Sequence, residues 1–242
     1  MRVLARHVEE PRSCSYLPDE RAQLETLLIE DVSPLELEIM LERGWRRFGP
    51  TYFRPRCQAC NACDSLRIVT DGYQPSKSHR RAMKSASALV RSIGRPRVDD
   101  ERIALHALWH NQREDARGWD PNPIDFEGYA VHFAWPHPSA REVTFRDPAR
   151  GNALVAVGLW DVTPRSSSAV FFFFDPAYAR LSLGIANVAL GVEDARRERR
   201  AHVYLGYRVR GCASLEYKGR FSPSEILIGR PRLEEAPRWI PA

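Results

Sequence analysis

The chain has 242 residues, 43% hydrophobic and 28% charged, an ordinary globular composition that suits one large domain or two small ones sharing an interface. The amino terminus, MRVLARHVEEPRSC, is charged without an apolar stretch, and the longest apolar runs, such as SSAVFFFF, are far too short to cross a bilayer. Neither a secretory signal nor a membrane span is therefore expected, and the chain, of net charge +5, reads as cytoplasmic.

Residues 1–20, bracketed by Pro11 and Pro18, read as irregular. Ser33 caps and Pro34 opens a short helix, PLELEIMLERG, stopped by Gly44. LRIVT (66–70) is a strand candidate. SKSHRRAMKSASALVRS (76–92) reads as a basic helix opened by Ser76 or Ser78, and DDERIALHALWHNQRED (99–115) as a second helix with acids in its first turn. GWDPNPIDFEGYAVHFAWPHPSA (118–140) predicts loop with one short helix. The period then changes: REVTF, ALVAVGLWDV and SAVFFFF are β-rich and separated by the turn clusters DPARGN and TPRSS, an antiparallel meander. The helix IANVALGVEDARRERR (185–200), the strand HVYLGY, a short helix near SLEYKGRF and a last strand EILI complete the chain.

Charge is unevenly spread. Between Arg67 and Arg97 eight basic residues face a single acid, Asp71, and the rest of the chain is slightly acidic. Such a local excess attracts polyanions. Arg80 and Arg81, on the basic helix, are its strongest candidates for phosphate contact. Only three of the 36 basic residues are lysine, a bias that a GC-rich genome also produces.

Five cysteines without a secretory signal argue against a disulfide framework. Cys57, Cys60 and Cys63 recur every third residue, and Cys14 supplies a remote fourth thiol. That donor set suits zinc or an iron–sulfur cluster, with Arg54, Arg56 and Arg67 offsetting thiolate charge. The alternative is four free thiols. Cys212 stands apart and reads as a small core residue.

The order meander, loop, helix, strand is that of the GNAT-type acyltransferase fold. Leu181-Ser-Leu-Gly184-Ile-Ala186 comes close to that fold's pyrophosphate loop, with Leu181 in place of the usual Arg or Gln. The expected fold class is α+β, with a Cys-rich amino-terminal region (1–75) and a GNAT-like domain (76–242).

Five segments in order, CSYLPDERA, GWRRFGPTYFRPRCQACNACDSLRI, YQPSKSHRRAMK, FFFFDPAYARLSLGIANVAL and YLGYRVRGCASLEYKGRFSP, resemble the tRNA-protein transferases, in particular the bacterial aspartate/glutamate leucyltransferases. The resemblance runs from about residue 11 to 232. Within it Cys14-Ser-Tyr16-Leu-Pro18, Phe53-Arg-Pro55 through Cys63, Phe174-Asp175-Pro176, Ser182-Leu-Gly184, Tyr204-Leu-Gly-Tyr207 and Tyr217-Lys-Gly-Arg220-Phe221 fall on the family's motifs. Three departures bear on specificity: Ser214-Leu215 where Lys-Met is common, REDARGWDPN in place of a His/Gly-rich stretch, and Lys77 and His79 in place of Arg and Gln.

The resemblance implies transfer of leucine, or arginine, from aminoacyl-tRNA to the α-amine of proteins beginning with Asp or Glu, creating a degradation signal. The short length favours leucine. The transfer itself needs no cofactor, and the partners are charged tRNA and the acceptor protein, with no membrane. Aminolysis of an activated ester needs a neutral amine, an oriented carbonyl and a proton for the leaving oxygen. Asp175 is the expected anchor or proton acceptor for the amine, Tyr207 the donor to the oxyanion or leaving oxygen, and Lys218 and Arg220 the groups that bind the acceptor's acidic side chain or a tRNA phosphate. Tyr16, Arg54 and Ser182 join the expected substrate- and tRNA-binding set, as Cys14, Cys57, Cys60 and Cys63 form the metal set. The bland alternatives are a helix-capping Asp175, a core Tyr207 and a solvated Lys218. Two other functions compete: an acetyl-CoA-dependent N-acetyltransferase, which Leu181 and the basic amino-terminal half disfavour, and a zinc or iron–sulfur nucleic-acid-binding module, which leaves the second half of the chain without a role.

Overall fold

The structure, a computed structural model, describes residues 1–117 and 121–242. Strands β1 (Arg2–Val8), β2 (Arg12–Ser13), β3 (Arg21–Ala22) and β4 (Leu24–Glu30) precede helix α1 (Pro34–Glu42). Residues 1–20 are thus not irregular throughout. β1 pairs antiparallel with β4 as an edge strand, and because it is exposed on both faces it carries no alternation for a sequence reading to find. α1 starts as expected: the Ser33 hydroxyl accepts from Glu36 N–H while Glu36 reaches back to Ser33, a reciprocal cap, and Gly44 (φ +82°) follows its end.

β5 (Arg46–Phe48) and β6 (Thr51–Pro55) complete a four-stranded antiparallel sheet in the order β1-β4-β6-β5. Then come β7 (Cys63–Val69), α2 (Lys77–Ala86), β8 (Val90–Gly94), α3 (Asp100–Arg117) and α4 (Phe126–Phe133). α2 is shorter than its sequence suggests, because residues 90–94 leave the helix to pair with the next strand, β9 (Ala140–Asp147). Of the passage expected as loop with one short helix, α4 is the helix; residues 118–120, part of that loop and of REDARGWDPN, lie outside the described residues.

The meander forms as expected from β9, β10 (Ala153–Val162) and β11 (Ser166–Phe174), all antiparallel. Helix α5 (Leu183–Arg197) crosses to β12 (His202–Val209), which runs parallel to β11. α6 (Ala213–Glu216), β13 (Ser224–Ile228) and β14 (Arg238–Pro241) end the chain. The large sheet has the order β14-β13-β7-β12-β11-β10-β9-β8, with β11/β12 its one parallel pair. Meander, crossover helix and parallel strand make this a GNAT-like α+β fold. The boundary expected at residue 75 needs correction: β7 lies inside the large sheet between β13 and β12, so the Cys-rich region supplies one of its central strands. Among the described residues no helix is long and apolar enough to cross a membrane.

α5 lies on the large sheet through Leu183, Ala186, Ala189, Val192 and Ala195 at helical spacing. Trp160 of β10 lies against Gly191, where a Cβ would stand 2.3 Å from its ring, and donates to Asn187 Oδ1 at 3.3 Å. The amino-terminal sheet docks through a second core of Leu27, Ile29, Leu37, Met40, Trp45 and Tyr52, which reaches Tyr204 of β12.

Three buried or half-buried histidines set an acid limit on this packing. Burial holds His106, His137 and His202 down at about 4, aided by His110 and His132 for His106 and by Arg47 for His137. Ser139 N–H donates to His137 Nδ1 (3.1 Å), so Nε2–H faces the Tyr52 hydroxyl at 3.1 Å and the neutral ring joins the two sheets. In the unfolded chain these rings titrate near the ordinary 6.5 and bind protons first. Stability is therefore intact above about pH 6.5 and falls as pH drops toward 4, by on the order of 1 kcal/mol per histidine at pH 5. Thermal melts should show a midpoint several degrees lower at pH 5 than at pH 7, with part of the difference removed in His137→Gln; a flat profile would refute this.

Candidate functional site

β11 and β12 share only three paired positions, Ser166↔His202 to Ser168↔Tyr204. Beyond them β11 continues on β10 and β12 continues on β7, so the edges they turn toward each other are unpaired. β12 also breaks register between Tyr204 and Tyr207, where Gly206 takes φ +72°, and this bulge re-aims the strand end. At the opening where the two strands diverge, β11 runs into the Asp175 turn and then α5, and β12 runs into the 213–220 segment, which folds back onto it.

Lys218 returns on that segment. Its ammonium donates to the Tyr207 carbonyl at 2.9 Å, and burial, then the charge of Arg46, hold it down at about 8. The Tyr207 hydroxyl donates to the backbone carbonyls of Gly44 (2.8 Å) and Phe53 (3.3 Å). It thereby ties β12 to the amino-terminal sheet, and burial raises its pKa far above the ordinary range. The expectation of Tyr207 as an oxyanion donor is corrected: its one proton already points at carbonyl oxygens. Asp175 accepts from Ala177 N–H at 2.9 Å and lies 4.0 Å from Arg150, so it caps the turn that follows β11, on the opposite lip from Lys218.

Arg54 does not face solvent as a tRNA ligand would. Its Nε donates to the buried Glu25 at 2.9 Å, its Nη1 to Pro231 O at 2.7 Å, and the guanidinium lies 4.5 Å from the Trp45 ring centre. It is a structural residue of the β4–β6 junction. Arg80 and Arg81 are exposed on α2 with Lys77 and Lys84, a cationic face open to a polyanion. His79, by contrast, is buried: it completes the cap with Ser76, meets the Tyr73 hydroxyl at 3.1 Å and stacks on Phe221 at 4.2 Å. That departure from the family motif therefore acts within the fold. Ser182 is exposed at the left-handed start of α5 (φ 55°) with its hydroxyl making no cap, Arg220 is exposed, and Tyr16 is half-exposed.

The cysteines gather beside the end of β12. Cys63 pairs across the sheet with Val209, Leu17 approaches Gly211, and Arg230 donates to the carbonyls of Cys57 and Cys60. Burial, then Cys57, Cys14 and Cys60, push the Cys63 thiol up to about 12. The donor chemistry is right for zinc or a cluster, yet among the described residues no group of three or more His, Cys, Asp or Glu side chains is arranged to hold a metal ion. The thiols converge without closing around one point. Cys212, read as a core residue, is partly exposed, its Sγ 3.3 Å from Ser214 Oγ.

Sequence reasoning passed over Arg46 and Gly206. Arg46 is 6% exposed, donates to Trp45 O (2.6 Å), Leu41 O (3.4 Å) and Ser65 Oγ (2.8 Å), and lies over the Tyr204 and Tyr207 rings. The signal available was GWRRFGP: two adjacent arginines on a strand point to opposite faces, and in a short strand between sheets both are buried.

Two family models together span most of the chain: "Arginine-tRNA-protein transferase, N terminus" matches residues 12–81 and "Arginine-tRNA-protein transferase, C terminus" residues 101–228. An aspartate/glutamate leucyltransferase of Helicobacter hepaticus is 32% identical over 98% of this chain and 97% of its own length. One of Pseudomonas fluorescens is 33% identical over 97% and 95%. Among solved structures, the crystal structure of FemX overlays 81% of this chain and 67% of its own with a TM-score of 0.47 at 8% identity, too loosely to add weight. The near-complete coverage at both ends of the fold, amino-terminal sheet and splayed sheet alike, places the chain in the arginine-tRNA-protein transferase family.

Proposed function

We propose that this protein moves leucine from charged tRNA to the α-amine of acceptor proteins beginning with Asp or Glu, as an aminoacyltransferase acting in the cytoplasm. The observation that carries the proposal is near-full-length similarity to leucyltransferases in a chain whose central strands splay apart. In this reading the unpaired edges of β11 and β12 offer N–H and C=O groups to the ester, and the exposed basic face of α2 holds tRNA phosphate. The intrinsic chemistry is undemanding, so positioning supplies most of the rate. The incoming ammonium loses a proton and its nitrogen attacks the ester carbonyl. The ribose oxygen leaves and takes up a proton, and a peptide bond replaces the ester.

The test is transfer of label from separately charged leucyl- and arginyl-tRNA to peptides starting with Asp, Glu or Ala. Label from leucyl-tRNA on the acidic peptides alone is the expected result. Transfer from arginyl-tRNA would keep the reaction and change the donor. No transfer by folded protein would end the transferase proposal.

Cys14, Cys57, Cys60 and Cys63 enter the proposal as a structural zinc or iron–sulfur centre, supported by their gathering around Cys63. No step of the transfer runs through it. Metal analysis of protein purified anaerobically without chelator should find near-stoichiometric zinc or iron that is lost in Cys60→Ser; metal-free protein of full activity would remove the centre.

A further inference from the structure

The other buried arginines among the described residues have acidic partners: Arg47 has Asp161 and Arg102 has Glu142. Arg46 has none among the described residues. Its Nη atoms donate to two backbone carbonyls and a serine, and its Nε, buried, has no partner at all. Among the described residues Lys218 also lacks a carboxylate; its ammonium donates to the Tyr207 carbonyl. Both cations approach Gly206. A Cβ on Gly206 would stand 3.8 Å from Lys218 Nζ and 4.0 Å from Arg46 Nε, with nothing nearer. Two neighbouring cations without a paired carboxylate, one buried and one half-buried, are costly, and an anion placed between them relieves both.

We propose that Arg46 and Lys218, on either side of Gly206, form the recognition site for the side-chain carboxylate of the acceptor's first residue. This deepens the transferase reading and rests on it for the identity of the ligand. The depth of the site favours a carboxylate over a tRNA phosphate. Arg46 is 6% exposed beneath the Tyr204 and Tyr207 rings, so the anion must enter on a narrow stem. An Asp or Glu side chain carries its carboxylate on one or two methylenes, whereas a phosphodiester is flanked by two sugars. The location agrees as well. Gly206 lies at the bulge where β12 leaves β11, so a carboxylate held there leaves the α-amine of the same residue a few bonds away, toward the opening. Asn or Gln in the same place would leave both cations unpaired, and that is the physical basis of discrimination.

The proposal is tested by equilibrium binding of short peptides beginning with Asp or with its neutral isostere Asn, in the presence of uncharged leucine-accepting tRNA. Wild-type protein should prefer Asp at least tenfold. Lys218→Met, which removes a half-buried side chain, should bring the preference to within about twofold; Arg46→Met should do the same, and Arg46→Lys, which keeps the buried charge if Arg46→Met fails to fold, should restore part of it. An equal affinity of wild type for both peptides, or an undiminished preference in Lys218→Met, overturns the proposal. So does weakened binding of charged tRNA by Lys218→Met with the Asp preference intact, which would assign the site to phosphate. A protein that prefers Asp but transfers no label retains the carboxylate site and loses the transferase reading, so the two failures are distinguishable.

Discussion

Asp161→Ala should destabilise the protein by about 3–5 kcal/mol, the loss typical when one member of a buried ion pair is removed. Asp161 is 1% exposed on β10 and pairs with Arg47 of β5, itself 7% exposed. Arg47 Nε donates to the carboxylate at 3.1 Å, and Nη1 donates to Gly49 O at 3.0 Å. The pair links the amino-terminal sheet to the large sheet, so its rupture strands a guanidinium at the junction that also carries His137 and Tyr52. For a chain of this size the melting midpoint should fall by roughly 8–15 °C. Asp161→Asn, which keeps an acceptor and the volume, should lose less. The double variant Arg47→Met/Asp161→Leu should recover most of the stability, because no charge is then left buried. A double variant no better than Asp161→Ala would show that packing, and not the orphaned charge, sets the loss.

Legibility in the sequence followed periodicity and capping chemistry. The Ser33 cap, the meander and the α5–β12 unit were readable because turn residues and the change of period mark them locally. β1 was not, because an edge strand exposed on both faces needs no alternation. α2 was read too long: residues 90–92 carry no Gly or Pro to stop a helix, and pairing with β9 draws them into a strand. The site divided in the same way. Lys218 stood out by rarity and does lie at the end of β12, next to Tyr207. Arg54 entered the expected substrate- and tRNA-binding set through its place in the resembling motif, but its role depends on Glu25, which lies 29 residues away in the chain. Arg46 was hidden for the complementary reason. In a chain with so many arginines, one without a counter-ion is recognisable only when every possible partner has been located in space.

Gly49→Ala should be the most damaging single-methyl change at the same junction. Gly49 sits in the β5–β6 turn with φ +54°, a conformation that costs a non-glycine residue about 1 kcal/mol or more. A Cβ there would stand 2.1 Å from the carbonyl oxygen of Val131 in α4 and 3.2 Å from its carbon. Backbone cannot rotate aside as a side chain does, so either the turn or α4 must shift. The Gly49 carbonyl is also an acceptor for Arg47, and displacing it loosens the Arg47–Asp161 pair. Strain and displacement together should remove at least about 3 kcal/mol, in the range of the most severe point substitutions. Because one displacement weakens both contacts, Gly49→Ala and Asp161→Ala should not add. Denaturant titration of the two single variants and the double variant should give a combined loss at least about 1 kcal/mol smaller than the two separate losses taken together. Simple additivity would mean that the turn and the ion pair brace the sheet junction independently, and that the Arg47 bond to Gly49 carries no share of it.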